Sequence, residues 1–333
     1  MSRSPNLPPH TLFTSKLRRR SFLTAALAVT AGPTLVVPQH SLAQSANKTL
    51  RIGYQRYGTL IILKQSGLLE HALSSAGWNV KWSEFIAGPQ MLQGLAANAI
   101  DIAETGDAPP IFAQSNWPDR LVYIGHSGPA PLGEGILVQK DRQVKTLADL
   151  KGKKVAFNKG SNVHYLLLNA LSHAGLTPAD IHAVNLPPAA ARAAFETGQI
   201  DAWAIWNPYL AAGEALPSAR LLANAENLSP NRQFLLSTRT FAELNPDTVR
   251  RIITVLSGLK PWATQNQNTL VHTLAASTGL EAGVIQTALS RLSLDIDFMD
   301  TQTQAEQQKA ADLLAQNALI PHSLQVQDVI WKG

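Results

Sequence analysis

The chain has 333 residues, 45% of them hydrophobic, and no cysteine. That is enough for a large core and favours two lobes over one, while disulfides, thiolate catalysis and a lipid-modified cysteine are all excluded. Five of the 28 basic residues (Arg3, Lys16, Arg18, Arg19 and Arg20) and none of the 23 acidic ones fall in residues 1–43, so the formal charge of +5 belongs to the N-terminus and the remainder is balanced; a nucleic-acid or anionic-membrane binder would keep a basic surplus.

The N-terminal segment reads as an export signal. Arg18-Arg19-Arg20-Ser21-Phe22-Leu23 precedes an apolar run to Val37, and Ser41-Leu42-Ala43 supplies the small residues of a cleavage site. The paired arginines give it a twin-arginine character. Gly32 and Pro33 interrupt the apolar run, which is too short for a membrane span. The expected mature protein is soluble and periplasmic.

From there, strands and helices alternate. Leu50–Tyr54 reads as a strand, Leu60–Leu69 as a helix, Val80–Phe85 as a strand and Gln90–Ala97 as a helix. The strand Ile100–Ala103 leads to a helix begun by Asp107-Ala108-Pro109-Pro110, and Leu121–Ile124 and Gly135–Val138 are strands. After the short helix Thr146–Leu150, a second alternating unit runs through the strand Lys153–Phe157, a helix from Ser161, the strand His182–Leu186, the helix Ala189–Thr197 and the strand Ile200–Ile205. Asn207-Pro208 opens a helix, and Arg220–Leu222 and Phe234–Ser237 complete the strands. Beyond Asn245 the pattern is helical: Pro246–Leu259, Trp262–Thr278, Glu281–Leu292 and Thr303–Ala315. Such alternation predicts an α/β protein with mostly parallel sheets, and the helical tail suits a chain that crosses to a second lobe and returns to cover the first.

Four strand-to-helix junctions carry N-terminal helix signals: Gly88-Pro89-Gln90, Thr105–Pro109, Gly160-Ser161-Asn162 and Asn207-Pro208-Tyr209. In open α/β sheets, ligands bind where such helix starts converge beyond the carboxyl ends of strands, and free amides with the positive dipole end favour an anion. Ordinary capping explains any one of them; four suggest a shared cleft. Ser161, at the N-cap, is expected to offer its hydroxyl alongside the first helix amides, so that Ser161→Ala would weaken binding. His164 in the first turn is a further donor candidate, and Arg192 a charge partner, with a solvated helix face as the competing reading. Asp107 fits an N-cap better than a catalytic acid. In the strand Ile200–Trp206, Trp203 and Ile205 share one face and Ala204 and Trp206 the other; Trp206, at the strand end, is placed to pack on the apolar part of a ligand.

Catalytic signatures fail. Gly125-His126-Ser127-Gly128-Pro129 has proline where a nucleophile elbow needs glycine, Lys159-Gly160-Ser161 inverts the phosphate-loop order, and no two histidines lie three or four residues apart as a helical zinc site requires. No enzyme, metal or cofactor is expected.

The segments Arg51–Gln55 (RIGYQ), Ala87–Leu92 (AGPQML), Thr105–Gln114 (TGDAPPIFAQ), Leu150–Ser161 (LKGKKVAFNKGS) and Ala191–Tyr209 (ARAAFETGQIDAWAIWNPY) together resemble the aliphatic-sulfonate-binding proteins of ABC importers, within the taurine/nitrate-binding group. The resemblance runs from about Leu50 to Trp331. Two departures from the family pattern are Arg56, where lysine is usual, and Asn207, where aspartate is usual before Pro-Tyr. The resemblance implies a two-lobe periplasmic-binding-protein fold of type II with a two-segment hinge, one lobe from residues 47–138 plus 238–333 and the other from 139–237. It also implies capture of a small organic anion by a monomer that delivers it to a permease and an ATPase. Carried over, Gln55, Gly106, Asp107, Ser161, Asn162, His164, Trp206 and Asn207 line the cleft. Alternatives are the same fold binding taurine, nitrate, an aromatic sulfonate, a sulfate ester or a thiamine-precursor pyrimidine, a sensor partner of a membrane receptor, or a pyrimidine-synthesis-like enzyme.

Overall fold

The computed structural model describes residues 48–333; the expected export signal and its cleavage site lie outside the described residues. Eleven strands form two sheets. In chain order they are β1 (Lys48–Tyr54), β2 (Trp78–Glu84), β3 (Ile102–Thr105), β4 (Leu121–Ser127), β5 (Glu134–Gln139), β6 (Lys154–Phe157), β7 (His182–Asn185), β8 (Ala202–Trp206), β9 (Ala219–Asn224), β10 (Phe234–Thr238) and β11 (Ile296–Asp297). The first sheet has the order β11-β4-β10-β3-β1-β2 and the second β7-β6-β8-β5-β9.

Where helices intervene, strands pair in parallel, as β1 does with β2 and β3, and β6 with β7 and β8. The exceptions mark where the chain changes sheets. It crosses once between β4 and β5 and back between β9 and β10, without a helix long enough to reverse it. Accordingly β5 runs antiparallel to β8 and β9, and β10 antiparallel to β3 and β4. This moves the expected boundaries. Gly135–Val138 belongs to the second sheet, not the first, and Phe234–Ser237 to the first, not the second; the two crossovers are residues 128–133 and 225–233.

The helical tail returns to the first sheet, as the sequence pattern implies. Val249, Ile252, Ile253 and Leu256 of the helix Pro246–Ser257 pack with Leu50 and Ile52 of β1 in one core. In the second half, the helix Asn162–His173 buries Val163, Leu166, Leu167, Ala170 and Leu171 against β5, β6 and β8. That near-continuous burial fixes where its first turn points. Among the described residues no helix is long and apolar enough to cross a membrane.

Candidate ligand-binding cleft

The four junctions singled out in the sequence meet at one cleft, of about 680 Å³ with its open mouth included, contributing Gly88, Gly106 and Pro109, Ser161 and Asn162, and Trp206 and Asn207 to its walls. The first sheet supplies Gly88, Gly106 and Pro109 from the helices Gly88–Ala96 and Ala108–Asn116. The second supplies the rest. Gln55, just after β1, and Ala130, Asn231 and Gln233 from the two crossovers complete the enclosure.

The halves touch here. A Cβ on Gly106 would stand 2.6 Å from the Asn162 Cβ, so only glycine permits this approach. Within the second half, Asn162 Nδ2 donates to Glu134 Oε2 at 2.6 Å, and between the two crossovers Asn231 Nδ2 donates to the Ala130 carbonyl at 2.8 Å. Arg291, the one lysine or arginine among the cleft-lining residues, donates to Glu214 Oε2 of the opposite half at 2.6 Å. The sequence reading missed Arg291, whose partner is 77 residues away.

Asn207 is the most suggestive side chain. It is buried, its Oδ1 accepts from the Ala211 amide at 3.2 Å, and its Nδ2 has no hydrogen-bond partner although Asn207 lines the cleft. A buried donor left in that state is costly unless something accepts from it. Trp206 is half-buried and lines both this cleft and an adjoining outer groove, which shares Gln55 and Tyr57 and is walled by Phe85, Ile86, Pro187 and Tyr209. Trp203, facing the other way, is core and packs on Phe195.

Three candidates stand elsewhere. Arg192 pairs with Glu196 four residues on, at 2.7 Å, and is not a cleft wall. Asp107 turns inward: its Oδ1 accepts from the Ala108 amide at 2.9 Å and its Oδ2 from the Ser229 hydroxyl at 3.1 Å, and burial pushes the carboxyl up to about 7. His164 stacks between Phe157 of its own half and Phe112 of the other, and its Nδ1 accepts from the Gly160 amide at 3.2 Å. Burial, aided by Lys159, lowers its pKa to about 4, so the ring is neutral. Ser161 lines the cleft, but its hydroxyl donates to the Asn158 carbonyl at 2.7 Å rather than outward. Its neighbours' amides are what the second half presents.

Glu134, also unforeseen, is fully buried behind Asn162. Desolvation and the nearby Asp107 carboxyl raise its pKa well above the usual carboxylate range. Two carboxyl groups, Asp107 and Glu134, thus lie one layer behind the wall rather than in it. Among the described residues no cluster suited to a metal ion occurs.

A family model described as NMT1/THI5 like matches residues 66–269. The periplasmic aliphatic sulphonate binding protein SsuA of Escherichia coli is 40% identical, with a TM-score of 0.79 over 86% of this chain and 92% of that one. The alkanesulfonate-binding protein SsuA of Xanthomonas axonopodis pv. citri, in a structure bound to MOPS, is 39% identical with a TM-score of 0.80 over 86% of this chain and 98% of that one. A taurine-binding periplasmic protein of Escherichia coli K12 is 30% identical over 179 residues, 53% of this chain and 54% of its own. The chain belongs to the NMT1/THI5-like family, and its two sheets with a cleft of converging helix starts are the fold of the sulfonate-binding SsuA proteins.

Proposed function

We propose that the chain is the periplasmic substrate-binding component of an ABC importer and that it captures organic sulfonates, aliphatic ones first, in the cleft between its sheets. The observation that carries the reading is the convergence of helix starts from both halves on one cleft, where Asn207 Nδ2 adds an unpartnered donor. A sulfonate is ionised at every physiological pH and its three oxygens only accept, so its host needs donors. The amides at the heads of the helices Gly88–Ala96 and Asn162–His173, the Asn207 amide and the Arg291 guanidinium supply them. The helix Ala108–Asn116 does not, because its Ala108 amide is taken by Asp107 and two prolines follow. Three charge-assisted hydrogen bonds at about 1.5–3 kcal/mol each sum to roughly 4.5–9 kcal/mol. That reaches the roughly 8 kcal/mol of micromolar binding only at its upper end, so apolar contact with the organic part must offset the costs of desolvation and closure.

The organic part of the ligand leaves towards Trp206. Closure works through the two crossovers, 128–133 and 225–233, as hinge segments, and the closed monomer is what a permease and its ATPase would read. Arg291 and Glu214 hold the halves together at the cleft edge.

Calorimetric titration with methanesulfonate, ethanesulfonate, taurine, nitrate and sulfate tests the assignment. Tight binding of the alkanesulfonates with weak binding of nitrate is the expected result; binding of none of the sulfonates would overturn it.

A further inference from the structure

Behind the cleft wall lies a pair of carboxyl groups that the donors to an anion do not need. Asp107 precedes the helix Ala108–Asn116 of the first half, and Glu134 opens β5 of the second; both are buried. Each backs directly onto the cleft: Asp107 follows the wall residue Gly106, and Glu134 accepts from the wall residue Asn162. One chain of hydrogen bonds joins them: the Ser229 hydroxyl donates to Asp107 Oδ2 at 3.1 Å and accepts from the Asn231 amide, while Asn162 Nδ2 donates to Asn231 Oδ1 at 3.3 Å and to Glu134 Oε2 at 2.6 Å. Glu134 Oε1 has no partner at all.

Among the described residues the surroundings offer no free countercharge. Arg232 is committed to Glu306 at 2.7 Å, and His126 on β4 lies against Thr303 and Asp300. His164 is neutral. Tyr123 and Tyr165, with phenols raised by burial, stay protonated, and Gln307 bridges Tyr123 to the Asp107 carbonyl. Two desolvated acids so placed do not both ionise readily.

We propose that Asp107 and Glu134 share one proton, and that an anion entering the cleft draws a proton from solvent onto the pair, so that ligand affinity is proton-linked. The inference rests on the sulfonate reading. An anion against Gly106 and Asn162 adds a second negative charge beside the singly ionised pair and favours its fully protonated form. By reciprocity, the protonated pair binds the anion more tightly. The sign follows: affinity is greatest below the pair's titration and falls as pH rises through it, near neutrality and above.

The experiment is calorimetry of ethanesulfonate binding between pH 6.5 and 8.5 in phosphate and in Tris, buffers with different ionisation enthalpies. Sulfonic-acid buffers would compete and are left out. Ethanesulfonate does not itself titrate in this range. The protein should take up about half to one proton per ligand and lose up to about tenfold in affinity per pH unit. Glu134→Gln and Asp107→Asn, both checked for folding by thermal melts, should each cut the uptake and flatten the slope. Uptake near zero in the unmodified protein, or unchanged in both folded variants, overturns the linkage while leaving sulfonate capture intact. Failure of every sulfonate to bind removes the reading and the linkage together.

Discussion

The helix Thr59–Ser66 and the helix Asn162–His173 both begin at the cleft, with Gly58 ahead of one and Ser161 ahead of the other. In the first, the leading amides of Thr59 and Leu60 donate to a single oxygen of the buried Glu104 carboxylate, at 3.0 and 3.1 Å. In the second, no side chain caps the leading amides, and the Ser161 hydroxyl looks back to Asn158. The same local device therefore has two uses. A helix start plugged by a carboxylate from its own sheet is a structural joint; one left without a plug can hold a guest.

The sharpest way to test this contrast is to remove the plug. Glu104→Ala strands two buried amides and should cost about 2–4 kcal/mol in chemical denaturation, with the loss read in stability. A melt like that of the unmodified protein would erase the distinction. On the guest side, Asn207→Asp keeps the oxygen that accepts from Ala211 but turns a donor into a charge facing the anion. The expected loss is about 1.5–3 kcal/mol of binding, ten- to more than a hundredfold in calorimetry, with little change in melting temperature. Gly106→Ala forces a methyl to within 2.6 Å of the Asn162 Cβ. It should push the halves apart for about 1–3 kcal/mol, seen as weaker binding of every sulfonate regardless of tail. Ser161→Ala should matter least, under about 1 kcal/mol in stability and under threefold in affinity, because the amides and not the hydroxyl serve the guest. A tenfold loss there would restore the hydroxyl to the ligand.

Most of the architecture was legible because it is written locally. Alternation at period 2, apolar spacing near 3.6, and Gly or Pro at helix starts located the elements and the four junctions. What was not legible is pairing over distance. Gly135–Val138 and Phe234–Ser237 were recognisable as strands, yet nothing within them says which sheet they join, and both were given to the wrong half. Arg192 drew attention as a cation near the ligand, although Glu196 four residues on was a visible partner. Arg291 carried no local sign, because its significance comes from a glutamate on another helix. Glu134 did carry one, as an acid heading the apolar run Gly135–Val138. The side-chain directions of Ser161 and Asp107 were beyond any local pattern, since each depends on which neighbour, Asn158 or Ser229, wins the hydrogen bond.

Of the seven tryptophans, Trp206 alone lines both the cleft and the outer groove. Its emission therefore works as a two-zone gauge. A head group seated among the helix starts and a tail lying along Phe85 and Tyr209 press on different edges of the same indole, so short and long ligands should leave distinguishable wavelengths as well as intensities.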